Sequence, residues 1–118
     1  MGNIAYEKSF AFALAMVALS KGLRGAGEYE LAKQLLRSGT SVGANIAESE
    51  YAQSADDFVS KLSIALKEAA ESRYWLKLLT AAGDIAVDVS AGLVSQADEI
   101  IRILVASIKT AKRKPPAQ

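Results

Sequence analysis

The sequence predicts an all-α protein that folds as an antiparallel, up-down-up-down four-helix bundle, with residues 1–118 forming a single domain. Four stretches repeat apolar residues every three or four positions, which is the helical period, and none alternates as a strand would. The two prolines, Pro115 and Pro116, lie at the end of the chain and interrupt no helix. Short links between the stretches favour antiparallel neighbours, as in an up-down bundle.

The first helix is predicted from Ile4 to Leu23. Three glycines around its end, Gly22, Gly25 and Gly27, break the apolar repeat. It carries two apolar rows, one of Tyr6, Phe10, Ala13 and Val17 and one of Phe12, Met16, Leu19 and Leu23. A helix in a bundle needs one buried row. The second row therefore indicates further packing, either inside the bundle or between subunits.

The second helix is predicted from Glu28 to Gln53, and the acidic residues of its first turn suit the helix dipole. Its apolar row is Leu31, Leu35, Val42 and Ile46, and its small-residue row is Ala32, Gly39, Gly43 and Ala47. A glycine inside a helix costs up to about 1 kcal/mol. We therefore expect another helix to approach the small-residue row closely.

The third helix is predicted to start at Ser54, with Asp57 completing a start that resembles a capping box, and to end at Gly83-Asp84. Its core row steps by four and three throughout: Phe58, Leu62, Ala65, Ala69, Ser72, Leu76 and Leu79. A second row follows about a third of a turn away: Ile64, Glu68, Glu71, Trp75 and Leu78. The double rows on two helices favour an oligomer over a single broad core.

The fourth helix is predicted to begin near Ser90 or Ser95, after a looser stretch from Ile85 to Gly92. Its apolar row is Ala97, Ile101, Leu104 and Ile108. The basic tail, residues 112–118, contains both prolines and is predicted to be frayed and solvated.

Five polar side chains share one face of the second helix, at steps of four and three: Gln34, Ser38, Ser41, Asn45 and Glu48. They border the apolar row, where polar groups are costly unless they find hydrogen-bond partners. We interpret them, with Glu71 of the third helix, as a hydrogen-bonded polar layer that sets helix register. We expect Asn45, Glu48 and Glu71 to be at least partly buried.

The composition excludes several kinds of active site, because the chain has no His and no Cys. Thiolate and imidazole metal sites, cysteine nucleophiles and histidine bases are absent. A serine nucleophile at Ser38 or Ser41 has no histidine base. The one alternative is a metal-dependent all-α phosphohydrolase with Mg²⁺ held by Glu48, Glu68 and Glu71. We expect no catalytic residues, no metal and no cofactor.

The net charge is +1, so any nucleic-acid affinity depends on local patches. The candidate phosphate contacts are basic residues of helices two to four and the tail: Lys33, Arg37, Arg73, Lys77, Lys109, Lys112, Arg113 and Lys114. A solvated basic face is the simpler interpretation on one chain. Repetition around a ring would strengthen binding, and we expect at most weak contact with RNA or DNA.

No segment predicts export or membrane insertion. Residues 9–20 are uncharged, but twelve residues are too few to span a bilayer. The preceding segment is not basic, and no convincing cleavage site follows. We expect a cytoplasmic protein with no membrane partner.

The motif from Gln34 to Glu48 resembles the core motif of the four-helix-bundle proteins encoded in intervening sequences of bacterial 23S ribosomal RNA genes, the S23 ribosomal protein-like family. Further matches follow in the third helix, at Asp57-Phe58, Ile64-Ala65, Glu71 and Tyr74-Trp75-Leu76. One departure is Ser49, where the family usually has Gly. The likeness covers nearly the whole chain.

That family is similar in fold to the accessory protein of diversity-generating retroelements, a barrel-shaped pentamer that binds nucleic acid and a reverse transcriptase. The resemblance implies an antiparallel bundle, a homopentamer and no established enzymatic activity. We therefore expect a non-enzymatic oligomeric scaffold that binds RNA or a nucleic-acid-processing protein partner.

Overall fold

The computed structural model describes residues 3–113, and within them the chain forms four helices and no strand. The helices are α1 (Ile4–Gly25), α2 (Tyr29–Ser49), α3 (Ala55–Ala81) and α4 (Val87–Arg113). The predicted all-α class is confirmed. Pro115, Pro116 and most of the basic tail lie outside the described residues.

Each helix packs against the next along the chain, and α4 closes the bundle on α1 less extensively. Side-chain pairs run in opposite order on α2 and α3: Arg37 contacts Glu68, whereas Glu48 contacts Lys61. The two helices are therefore antiparallel. The bundle is long and thin, at 57 × 22 × 21 Å. None of the described helices combines the length and the hydropathy that crossing a membrane requires.

Helices α1 and α3 end in the same kind of C-cap, built on a glycine. Gly27 and Gly83 adopt positive φ angles of 91° and 85°, a conformation that glycine adopts without strain. Glu28 N donates to Leu23 O and Asp84 N to Leu79 O, each at 2.9 Å, as in a Schellman cap. The predicted end of the third helix is confirmed. The end of α1 is two residues later than predicted, since Gly22 and Gly25 remain helical.

Helices α1 and α3 begin at side-chain caps. Asn3 Oδ1 accepts from Tyr6 N and Ser54 Oγ accepts from Asp57 N, both at 3.0 Å. The predicted cap at Ser54 is confirmed. Asp57 Oδ2 accepts from Gln53 N, whereas in a complete capping box it would accept from Ser54 N. Helix α2 ends at Ser49 rather than at the predicted Gln53, and its last turn tightens, since Tyr51 N donates to Glu48 O and Ala52 N to Ser49 O.

The fourth helix starts earlier than predicted. Helix α4 begins at Val87, before both predicted starts, Ser90 and Ser95. Ser90 and Leu93 are buried on the face that continues through Ala97, so packing of that face stabilises the first turns, in agreement with the dominance of tertiary contacts over local propensity. The buried row also runs through Ile100, which is fully buried, rather than through Ile101.

The close approach expected at the small-residue row occurs within the chain, between α2 and α1. A Cβ on Gly39 would lie 2.7 Å from Met16 Cγ, and one on Gly43 would lie 3.2 Å from Ser9 Oγ. These glycines therefore allow α1 to pack closely on α2. The small-residue row no longer argues for a contact between subunits.

The core contains one of the two apolar rows predicted on the first helix. Phe12 and Met16 are fully buried, whereas Tyr6 and Phe10 of the other row are exposed. The third-helix core row is confirmed, with Phe58 half-buried and its other six members buried.

Candidate functional site

The buried polar centre of the bundle is a pair of serine hydroxyls. Ser38 on α2 and Ser72 on α3 are fully buried, and their Oγ atoms lie 3.0 Å apart in a hydrogen bond. Ser72 Oγ also lies 2.9 Å from the Glu68 carbonyl oxygen. Among the described residues, no buried side-chain polar atom lacks a hydrogen-bond partner. This pair joins α2 to α3 at a defined register.

The other members of the predicted polar row are less buried. Gln34, Ser41 and Asn45 are half-buried, and Asn45 Nδ2 donates to Ser41 O at 2.9 Å and to Ser41 Oγ at 3.1 Å. These bonds stay within α2. The Asn45 carboxamide therefore finds its hydrogen-bond acceptors on its own helix and does not join α2 to another helix.

The predicted burial of Glu48 is wrong, because its side chain is 60% exposed. A straight helix rotates about 20° per heptad relative to a seven-residue repeat, so the row reaches solvent after two heptads. Glu48 Oε1 accepts from Lys61 Nζ at 3.0 Å, and this bond raises the pKa of Lys61. The pair lies at the solvent edge of α2 and α3.

The main charged cluster on the α2–α3 edge contains one cation and two carboxylates. Arg37 Nη1 donates to Glu68 Oε1 at 3.0 Å, and Arg37 Nη2 donates to Glu71 Oε2. Trp75 Nε1 donates to the same Glu71 oxygen at 2.8 Å. The hydrogen bond from Arg37, followed by the one from Trp75, lowers the pKa of Glu71. The cluster clamps α2 to α3 beside the serine pair.

Arg37, which the sequence predicted as a candidate phosphate contact, shares its guanidinium with two carboxylates, and its side chain remains 48% exposed. Its bond to Glu71 raises the pKa of Arg37. The partners lie 31 and 34 residues away along the chain, so helical spacing on α2 alone gave no signal of the cluster.

The carboxylates of the phosphohydrolase alternative do not converge. Glu48 lies eleven residues after Arg37 on α2, about 16 Å along the axis, while Glu68 and Glu71 meet at Arg37. Within residues 3–113, no three acidic side chains are placed to hold a metal ion.

The remaining basic candidates differ in their partners. Arg73 Nη1 lies 2.5 Å from Asp98 Oδ1, which joins α3 to α4. The exposed candidates that form no ion pair with another described residue are Lys33, Lys77, Lys109, Lys112 and Arg113. Lys114 lies outside the described residues.

Sequence reasoning missed Arg102. It lines a shallow groove on α4 together with Lys109 and Arg113. The available signal was the spacing, since steps of seven and four return to the same helix face. The surface to consider is therefore a row on α4 rather than a terminal cluster.

The charged cluster of Arg37, Glu68 and Glu71, which we call the clamp, predicts that the stability of the fold depends on pH. Glu71 has a folded-state pKa below its ordinary value of 4.5, so its stabilisation is present above that value. It is lost as the pH falls through the folded-state pKa. Glu71→Gln should lower the free energy of unfolding at neutral pH, and the difference from the wild type should shrink in acid. Urea denaturation across this range measures both effects.

Glu50→Gln is the matched control, since Glu50 is exposed and forms no ion pair with another described residue. It should leave the shape of the stability profile unchanged. An equal pH profile for the Glu71 variant and the wild type would show that the clamp contributes nothing.

Comparison with known proteins agrees with the resemblance of the motif from Gln34 to Glu48. The family described as 23S rRNA-intervening sequence protein matches residues 2–106. A crystal structure from Bacteroides thetaiotaomicron, of a protein with unknown function from the S23 ribosomal protein family, is 45% identical. The alignment covers 90% of this chain and 99% of that chain, with a TM-score of 0.88. No curated protein matches the chain.

Proposed function

The chain belongs to the 23S rRNA-intervening sequence protein family, and from that premise we propose that it is a non-enzymatic, cytoplasmic scaffold. It assembles as a homopentamer and binds RNA or a nucleic-acid-processing protein. The observation that carries the proposal is an exposed apolar face on α1. The number five follows from the likeness to the accessory protein of retroelements.

The apolar face of α1 consists of Tyr6, Phe10 and Leu14. Their exposed fractions are 37%, 54% and 59%, which is high for large apolar side chains that share one face. The rings of Tyr6 and Phe10 lie 6.0 Å apart, so the two form a continuous surface. Burying side chains of this size contributes about 1.5–3 kcal/mol each.

The surface continues onto α2. Tyr6 and Phe10 line a groove with three small residues of that helix, Gly43, Ala44 and Ala47. The groove extends the apolar face to the edge of α2, while Gly43 itself packs against Ser9 of α1. When two different faces of neighbouring copies meet, each copy is rotated relative to the one before it. The assembly closes into a ring when a whole number of these rotations completes one full turn.

The contacts of Arg37 support a structural rather than a catalytic role for the nearby carboxylates. Glu68 and Glu71 already neutralise a guanidinium. A Mg²⁺ ion would have to displace Arg37 and would still lack Glu48. The phosphohydrolase alternative has no comparable support.

Thermal unfolding with separate ligands tests the functional class. A structured RNA hairpin should raise the melting temperature, because a ligand of the folded state stabilises it by mass action. Mg²⁺ and Mn²⁺ without RNA should shift wild type and Glu48→Gln equally. A metal-dependent shift that Glu48→Gln abolishes, with no response to RNA, would instead favour the phosphohydrolase.

A further inference from the structure

The net charge of +1 conceals a strong separation of charge along the chain. Residues 100–118 contain five Lys or Arg and no Asp or Glu, which is a charge of +5. Residues 1–99 contain nine basic and thirteen acidic residues, which is a charge of −4. Charge asymmetry of this kind favours contact of the basic segment with a polyanion.

Three of the five cations form a row on the solvent side of α4, which we call the α4 basic row: Arg102, Lys109 and Arg113. All three are exposed, and they line one shallow groove with Ile101, Val105 and Ala106. The row is about 16 Å long, since Arg102 and Arg113 are eleven residues apart.

The acidic residues nearest to the row on α4 already have partners. Asp98 pairs with Arg73 on α3, and Glu99 Oε2 lies 3.1 Å from Lys8 Nζ on α1. The start of α3 lies beside the end of α4, where Phe58 lines a groove with Ala106 and Thr110. The first turn of α3 carries Asp56 and Asp57, next to Ala55, which lines the same groove as Arg113; from Phe58 to Lys67, α3 contains no acidic residue. No cation of the row forms an ion pair with another described residue, so the row remains a local positive surface.

The helix dipole explains only part of the row. Cations in the last turn interact favourably with the carbonyl end of a helix, and Arg113 lies there. That effect is confined to the last turn. Arg102 lies about three turns earlier, so its alignment with Lys109 and Arg113 needs another reason.

We propose that the α4 basic row binds the phosphate backbone of double-stranded RNA, an inference that rests on the proposed function. Within the described part of α4, the exposed large apolar residues are Val87 and Val89, at the opposite end of the helix. The row has no aromatic side chain for stacking, and its apolar neighbours Ile101 and Val105 are half-buried, whereas a membrane anchor needs exposed apolar side chains. Backbone contacts of this kind position a duplex without reading its sequence.

The test is a fluorescence-anisotropy titration of a labelled RNA hairpin with the full chain, between about 50 and 200 mM salt. The variant is Arg102→Gln/Lys109→Gln/Arg113→Gln. It should weaken binding by more than about tenfold and lower the slope of log K against log salt by about 2 to 3.

The matched control is Lys21→Gln/Arg24→Gln/Lys67→Gln, which removes the same charge from exposed residues outside the row. It should bind RNA almost as well as wild type. Equal losses in both triple variants, or none in the row variant, would overturn the inference and leave the proposed function standing. If the wild type binds no RNA at low salt, the inference fails and the proposed function survives only as a scaffold for a protein partner; binding to phosphatidylserine vesicles instead would assign the row to membranes.

Discussion

Gly39→Leu should lower the free energy of unfolding by about 1 to 3 kcal/mol, the usual cost of overpacking a core. A Cβ at this position would lie 2.7 Å from Met16 Cγ and 2.8 Å from Met16 Cβ. Met16 is fully buried, so its first side-chain atoms cannot move aside without shifting α1. Urea denaturation followed by circular dichroism measures the loss.

Gly92→Ala is the matched control on α4, because no atom lies within 4 Å of the added Cβ. Alanine has the higher helix propensity, so this variant should gain up to about 1 kcal/mol. Opposite signs at the two glycines would confirm that α1 and α2 depend on close approach at Gly39. A stable Gly39→Leu variant would contradict this packing.

Phe10→Glu/Leu14→Glu should dissociate the assembly into folded monomers. Both side chains are more than half exposed in the single chain, so their replacement leaves its core intact. In the ring, the same changes would bury two carboxylates in an apolar contact, which is strongly unfavourable. Sedimentation velocity measures the mass, and circular dichroism verifies that the helices remain.

Tyr29→Glu provides the control, since Tyr29 is 63% exposed and begins α2, at the opposite end of that helix from Gly43 and Ala47, which line the groove beside the face. It should leave the mass unchanged. Equal masses for the wild type and the Phe10/Leu14 variant would place the contact between subunits elsewhere.

The apolar rows were sufficient to predict the fold, because each core row repeats at the helical period and the links are short. Helix boundaries were harder to predict. The start of α4 depends on Ser90, a polar residue that is buried by packing and does not extend an apolar row. The end of α2 is a tightened turn over residues 50–52, which no glycine or proline marks in the sequence.

The candidate site was only partly predictable, for a similar reason. The row from Gln34 to Glu48 was read from spacing, but the partner of Ser38 is Ser72, on another helix. The long side chain of Arg37 reaches Glu68 and Glu71, whose proximity depends on the pairing register of α2 and α3. Arg102 was overlooked because the cluster at the chain end was judged by sequence proximity rather than by helix face.

The measurement that tests the central claim most directly is the mass of the unmodified protein in solution. The exposed face of Tyr6, Phe10 and Leu14 predicts that the chain is not a free monomer at micromolar concentration. Sedimentation velocity should give one boundary with the mass of five chains, unchanged on dilution within that range. A stable monomer would contradict the assembly and with it the scaffold.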